Sequence, residues 1–577
     1  MRTFVEVLRD NAVYREHSHV FVRMDGTERE ISFPELWGLA CQRAHKLHEL
    51  GLKKGDRVAI ILPETDSFVL NFMGALVAGL VPVPMYPPLT LAKMDAYGET
   101  VRHILGASGA RALITVPGLE PMLREHLVAS AGGQDVTMVL DPELDGEAME
   151  RPYPPVEVTP DDVAFLQFTS GSTRKPKGVM VTHHNLSHNA HNIMFDGLKA
   201  TKDDRGVTWL PLFHDMGLIG FVIAPLFAQV QVMFLPPMNF IRRPHLWLDA
   251  IDRFRGTITF APNFAYALSA RAVKQDQSKD WDLSCLKAMG CGAEPIEADV
   301  LRGFVGRFAE NGLSPRALLP CYGLAEATLA VTFANLEGSI ATEAVCPEGL
   351  KRGEAKGANG HGAIELVSCG KAFPGHELRV VNDAGDVVAD GVVGHIQLCG
   401  PSVTAGYFEQ PEASAEAYLP GGWLATGDLG YLRRGELFVC GRAKDLIIIN
   451  GKNFYPQDIE RIAASAHGVR QDQVVAFARR AGSGTRETCV VVAEGRKGET
   501  DVEEITRTIK QRVRSELSLD VAEVVVIERG SMPKTSSGKV RRRETRQRLE
   551  GGSLELLKSA PIKRRAPAPR PSVPAMS

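Results

Sequence analysis

A large N-terminal layered α/β domain followed by a small mixed α/β domain is the architecture this sequence predicts, on three observations. Before Gly441, short apolar, β-rich runs alternate with stretches suited to crossover helices. At 577 residues and 44% hydrophobic, the chain can bury substantial cores yet is too long for one compact unit. Beyond Gly441 a second group of short apolar runs, bounded by polar residues, begins afresh.

In chain order, residues 57–62, 111–116 and 136–140 read as buried strands, and 230–235 and 257–261 as two more. No fixed-period repeat is evident. The second domain offers strands at 446–449, 474–478 and 524–527. Before the last of these, Val502, Ile505, Ile509, Val513 and Leu517 recur at helical spacing, with Thr500 and Glu503 as a possible capping box. The domains expected are therefore 1–440 and 441–545, followed by a tail, 546–577. Between Arg541 and Arg570 stand ten Lys/Arg against three Glu, a local charge of +7, and 566–577 is rich in Pro, Ala and Ser, so this tail is expected to be disordered. It reads as a solvated tail or linker, or as a dock for an acidic carrier protein or anionic lipid.

Another strand-like run, 163–168, leads straight into Thr169-Ser170-Gly171-Ser172-Thr173-Arg174-Lys175-Pro176-Lys177-Gly178. This has the chemistry of a phosphate loop. Small residues let backbone approach an anion, hydroxyls donate to phosphate oxygens, and Arg174, Lys175 and Lys177 offset charge. No Gly-Lys-Ser or Gly-Lys-Thr closes it, which disfavours an ordinary P-loop kinase or GTPase. Alone, such a segment is more often a solvated turn.

Bulk properties narrow the class. A net charge of -3 with mixed signs gives no polyanion-binding signature, so no nucleic-acid partner is expected. No run of eighteen apolar residues occurs and the polar start lacks a signal-peptide core, so a cytoplasmic protein without stable membrane insertion is expected. The nine cysteines lack paired spacing, which argues against a disulfide framework or zinc site.

Four further segments follow the phosphate loop in order: Cys321-Tyr322-Gly323-Leu324-Ala325-Glu326-Ala327-Thr328, Trp423-Leu424-Ala425-Thr426-Gly427-Asp428, Gly441-Arg442-Ala443-Lys444-Asp445, and Pro533-Lys534-Thr535-Ser536-Ser537-Gly538-Lys539. Together with the phosphate loop, in register over nearly the whole chain, they resemble the adenylate-forming superfamily of acyl-CoA synthetases, peptide-synthetase adenylation domains and luciferases. Val81-Pro82-Val83-Pro84-Met85-Tyr86-Pro87-Pro88, Pro211-Leu212-Phe213-His214-Asp215-Met216-Gly217, Cys291-Gly292-Ala293-Glu294-Pro295 and Gly451-Lys452-Asn453-Phe454-Tyr455-Pro456 look like its fatty acyl-AMP ligase branch. The Gly- and charge-rich segment 335–368 sits where that branch carries an insertion.

The resemblance implies a mobile small domain and a reaction of ATP with a fatty acid to give acyl-AMP and pyrophosphate. Transfer of the acyl group to the phosphopantetheine thiol of an acyl carrier protein, of polyketide or nonribosomal peptide synthase type, would follow. By the same resemblance Lys539 and His214 are catalytic, Lys539 on the carboxylate and α-phosphate and His214 positioning the acyl carboxylate. Glu326 joins them as the magnesium ligand, with ATP and Mg²⁺ the implied cofactors. Thr169, Ser170, Gly171, Ser172, Thr173 and Lys177 would cradle phosphate. Gly292, Ala293, Glu294 and Pro295 would line one side of the adenine slot, with Tyr322 and Gly323 opposite. Asp428 and Arg442 would hold the ribose, and Lys444 would serve as hinge. Outside that match each residue has a blander reading: a surface lysine, a core tyrosine, a helix-opening glutamate, a structural histidine, ordinary turns. An acyl-CoA synthetase and a catalytically silent acyl-nucleotide-binding scaffold are the alternatives.

Overall fold

Each apolar run singled out in the sequence forms a strand, and the pairing partners explain why these runs had to be apolar. Arg57–Ile60, Ala112–Thr115 and Thr137–Leu140 join Val81–Pro84 in a parallel four-stranded sheet. Arg205–Thr208, Gln231–Phe234 and Ile258–Ala261 lie inside a nine-stranded sheet. Ala288–Cys291 and Leu318–Gly323 extend it in parallel on one side. Ser18–Val22 pairs with Gln231–Phe234 on the other, and Glu28–Ser32 closes that edge antiparallel. Ile258–Ala261 and Ala288–Cys291 are buried along their whole length, as parallel strands covered on both faces must be.

The computed structural model describes residues 1–88, 94–128, 136–147, 149, 153–169, 176–336, 338–358, 362–449, 452–480, 487–496, 501–535 and 539–557. They divide into two compact units, Met1–Leu446 with Thr535–Lys539, and Ile447–Lys534 with the chain from Val540 onward. The larger unit also holds a five-stranded antiparallel sheet built on Trp423–Arg433, which pairs with Gly394–Cys399, Tyr418–Leu419 and Glu436–Arg442. Segment 335–368 contributes the antiparallel pair Thr342–Val345 and Ile364–Val367.

The core of the larger unit is aromatic where its helices meet the nine-stranded sheet. Trp247, fully buried on the helix His245–Phe254, donates from Nε1 to Thr259 Oγ1 at 2.9 Å. Its ring stands 5.6 Å from Tyr266 and 6.3 Å from Trp209. Trp247→Ala removes this anchor and leaves a large cavity, while the Thr259 hydroxyl keeps only its bond to the Val207 carbonyl at 2.7 Å. It is expected to destabilise the unit by about 3–5 kcal/mol, read as a lower denaturant midpoint of that unit's transition.

In the smaller unit Val469–Arg480 and Glu487–Gly495 pair antiparallel, and Val521–Ile527 adds in parallel. The expected helix is Val502–Leu517, with Ile505, Ile509, Val513 and Leu517 buried on one face. Its cap differs from expectation. Asp501 is the N-cap, its side chain accepting from the amides of Glu503 and Glu504 at 3.0 and 3.1 Å, while Thr500 lies outside the described residues. Aspartate one residue closer reaches two orphan amides at once and carries charge suited to a helix start.

The tail expected from residue 546 is also corrected in part, because Arg542–Glu550 is a helix. Its basic composition is neutralised locally by pairs of Arg548 with Glu544 and of Arg546 with Glu550, both at i,i+4 spacing. Leu554 and Leu549 pack into an apolar cluster with Phe477, Val490 and Ile527. The Pro/Ala/Ser-rich stretch 566–577 lies outside the described residues. No helix among the described residues is long and apolar enough to cross a membrane.

Candidate active site

Strand ends gather the candidate residues of the larger unit. Val163–Thr169 pairs antiparallel with Lys177–Thr182, setting Thr169 opposite Lys177 at the base of the phosphate-loop candidate. Ser170, Gly171, Ser172 and Thr173 lie outside the described residues. Lys177 places its ammonium 4.5 Å from the centre of the Tyr407 ring. The Tyr407 hydroxyl in turn donates to Glu326 Oε1 at 2.7 Å. Thr404 secures the Glu326 backbone, its amide donating to the Glu326 carbonyl at 2.9 Å. A tyrosine thus joins Lys177 to Glu326. The sequence offered no signal for it, since Tyr407 lies 81 residues from Glu326.

Leu318–Gly323 delivers Tyr322 from the neighbouring sheet. Its hydroxyl donates to Asp428 Oδ2 at 2.7 Å, and Arg442 Nε donates to Asp428 Oδ1 at 2.9 Å. Strand register accounts for the pairing, because Asp428 and Arg442 are direct partners in the Trp423–Arg433 and Glu436–Arg442 hairpin. Asp428 is 6% exposed, whereas the Arg442 side chain is half open to solvent. Burial raises the Asp428 carboxyl above the ordinary range against the opposing pull of Arg442. Beside Tyr322, Gly323 is obligatory: a Cβ there would lie 1.9 Å from the Leu329 carbonyl oxygen.

The turn after Ala288–Cys291 carries the Gly292-Ala293-Glu294-Pro295 candidates. Ala293 has φ +67°, a conformation costly for a non-glycine residue and one that often marks a functional turn. Glu294 Oε1 accepts the Phe264 amide at 2.7 Å, and Lys539 Nζ donates to the Ala293 carbonyl. The Lys539 ammonium also lies in the field of Glu294, Asp215, Arg442 and Asp428, and burial lowers its pKa.

His214 begins the short helix Asp215–Gly217, with its ring 4.9 Å from Phe213. Gln167 donates to the Phe213 carbonyl at 3.0 Å and ties this turn to the phosphate-loop strand. Burial, and secondarily Lys539, pushes the imidazole down to about 3, so His214 is neutral at any working pH. That suits positioning and disfavours a proton-carrying role. Asp215, which the sequence reading passed over as a site residue, is raised by burial and feels both Lys539 and Glu326.

An apolar cavity adjoins this cluster. Asp215, Met216, Ala293, Cys321, Tyr322 and Gly323 line its polar end, and Phe221, Phe260 and Phe333 its aromatic wall. Two π-helical turns, Asn192–Gly197 and Leu218–Ile223, supply other walls, and such turns, uncommon overall, are frequent at functional sites. Lys444 stands apart, exposed on the turn Ala443–Asp445 just before the chain leaves the larger unit.

A carboxylate held by a tyrosine and an arginine, a second carboxylate, a lysine and an adjoining apolar cavity can together bind a nucleotide and a hydrophobic acid. The family model of AMP-binding enzymes matches residues 8–408. A putative acyl-CoA synthetase of Caulobacter vibrioides (strain NA1000 / CB15N) is 38% identical, covering 91% of each chain. The medium-chain-fatty-acid–[acyl-carrier-protein] ligase JamA of Moorena producens (strain JHB) is 31% identical over 96% of each. A structure from work on fatty acyl-adenylate ligases of E. coli and L. pneumophila superposes with a TM-score of 0.88 at 35% identity, covering 96% of this chain and 98% of that one. With a family model matched over residues 8–408 and relatives matched nearly end to end, the chain belongs to the AMP-binding enzyme family and is an AMP-forming adenylating ligase.

Proposed function

We propose that this ligase activates a fatty acid with ATP to acyl-AMP and pyrophosphate, then passes the acyl group to the phosphopantetheine thiol of an acyl carrier protein. The observation that carries the fatty-acid reading is the apolar cavity whose polar end is formed by Asp215, Ala293 and Tyr322. A hydrocarbon chain gains by burial there, while its carboxylate stays with the charged cluster.

In the first step a carboxylate oxygen bonds to the α-phosphorus and the bond to the departing pyrophosphate breaks. Two anions must meet, and unit charges about 4 Å apart repel by roughly 4 kcal/mol at an effective dielectric of about 20. Lys539 is the group proposed to offset that charge as the bond forms. His214 positions the carboxylate, Tyr322 and the Gly292–Pro295 turn hold the adenine, and Asp428 and Arg442 hold the ribose. Thr169 and Lys177 flank the phosphates, and Lys444 serves as the hinge between the two half-reactions.

Glu326 fits a magnesium ion that arrives with the nucleotide. No trio of ligating side chains is gathered among the described residues, and one carboxylate plus substrate phosphates is the mode Mg²⁺ favours. When bound, the ion supplies positive charge to the phosphates; Tyr407 orients the carboxylate that would hold it.

The carrier reading draws support from the branch-like motifs and from JamA, named as a carrier-protein ligase. The likeness to a protein named as a putative acyl-CoA synthetase, from Caulobacter, supports the rival reading with coenzyme A as acceptor. Enzyme, ATP and dodecanoate incubated with coenzyme A in one arm and a phosphopantetheinylated carrier protein in the other decide between them. Acyl-carrier thioester is expected to accumulate; efficient acyl-CoA formation would reject the carrier reading. Absence of pyrophosphate exchange with any fatty acid would reject the adenylation of fatty acids itself.

A further inference from the structure

The apolar cavity has a direction. Its lining begins at Ala293 and Tyr322, by the C-terminal ends of Ala288–Cys291 and Leu318–Gly323. It reaches Gly206 and Ile258, near the N-terminal ends of Arg205–Thr208 and Ile258–Ala261, which face each other in register. A strand of this length at about 3.3 Å per residue makes the cavity on the order of 13 Å deep. Leu198 and Val230, 2% and 1% exposed, line its remote part.

Three glycines line this depth, and at only one of them would an added Cβ meet nothing closer than an ordinary contact. Gly323 is dictated by the Leu329 carbonyl, and a Cβ on Gly206 would press on Val232 at 3.1 Å. Gly220 would meet only the end of the Leu329 side chain, at 3.6 Å, an ordinary contact. It sits in the π-helical turn Leu218–Ile223 with no positive φ. Leu329 neighbours both glycines, its side chain being what a Gly220 Cβ would meet and its carbonyl what a Gly323 Cβ would meet, so Gly220 lies toward the Tyr322 side of the cavity. An added side chain would grow into the cavity between its mouth and its depth.

We propose that Gly220 determines acyl-chain length: its missing side chain is what admits acids long enough to pass Tyr322 and fill the cavity toward Leu198 and Val230. The assignment rests on the fatty-acid reading above and makes straight medium-to-long chains the substrate class. Gly220→Phe fills the passage while leaving the charged cluster untouched, and Gly220→Ala is the mild version that the local contacts accommodate.

Pyrophosphate exchange is to be measured for both variants and the wild type with butyrate, octanoate, dodecanoate and hexadecanoate. Wild type is expected to prefer dodecanoate or hexadecanoate. Gly220→Phe is expected to lower the dodecanoate-to-butyrate ratio at least about tenfold, with Gly220→Ala between the two. An unchanged ratio in Gly220→Phe overturns the proposal for Gly220 alone; should that variant fail to fold, an unchanged ratio in Gly220→Ala does the same. A wild type that exchanges with none of the four acids overturns the fatty-acid reading, and the role of Gly220 with it.

Discussion

Lys539→Ala is expected to lower ATP–pyrophosphate exchange by about 10²–10³-fold, the loss typical when one preorganised charge-stabilising donor is removed. The ammonium is already committed to this place: it donates to the Ala293 carbonyl and lies in the field of Asp215, Glu294 and Asp428. Burial lowers its pKa from the ordinary lysine range, which fixes the sign of a pH effect. The cation is lost as pH rises through that lowered value, so exchange should fall on the alkaline side earlier than an exposed lysine would dictate. Lys539→Arg keeps its charge throughout and should lack that alkaline limb even where its altered geometry slows the reaction. Exchange by Lys539→Ala at the wild-type rate would remove Lys539 from the chemistry.

The apolar runs were legible because a strand buried on both faces has little freedom in composition. Ile258–Ala261 is such a case. Glu28–Ser32 was not, since an edge strand that exposes Glu28 and Glu30 and buries only Ile31 carries a weak pattern. In the smaller unit the helix face Ile505, Ile509, Val513, Leu517 was readable, but its cap was misplaced by one residue because Thr500 and Asp501 are both competent and only geometry decides. Among site residues, Tyr322, Asp428 and Arg442 came from motif resemblance, and their hydrogen bonding follows from strand register that no spacing in the sequence reveals. Tyr407 and Gly220 escaped notice for the same reason. A tyrosine matters here by what it reaches, and a glycine by the space it leaves, and both depend on partners distant in the chain.

Asp428→Asn is expected to raise the KM for ATP by about thirtyfold, corresponding to about 2 kcal/mol for one charge-assisted hydrogen bond, with kcat less affected. The wild-type carboxylate accepts from the Tyr322 hydroxyl and from Arg442 Nε, and so fixes both side chains. An amide of the same size cannot serve both donors as an anion does. Arg442 keeps half its side chain in solvent, so losing its partner should cost little stability, and the variant should fold. Because burial raises the Asp428 pKa, the wild-type carboxylate takes up a proton at higher pH than an ordinary aspartate, and the KM for ATP should rise correspondingly early on acidification. That acid limb should vanish in Asp428→Asn. Combining it with Arg442→Gln tests whether the two act as a unit: the double variant should lose less than the product of the single losses. Full additivity, or an ATP KM in Asp428→Asn within about twofold of wild type, would show that the carboxylate merely braces the hairpin and takes no part in holding the nucleotide.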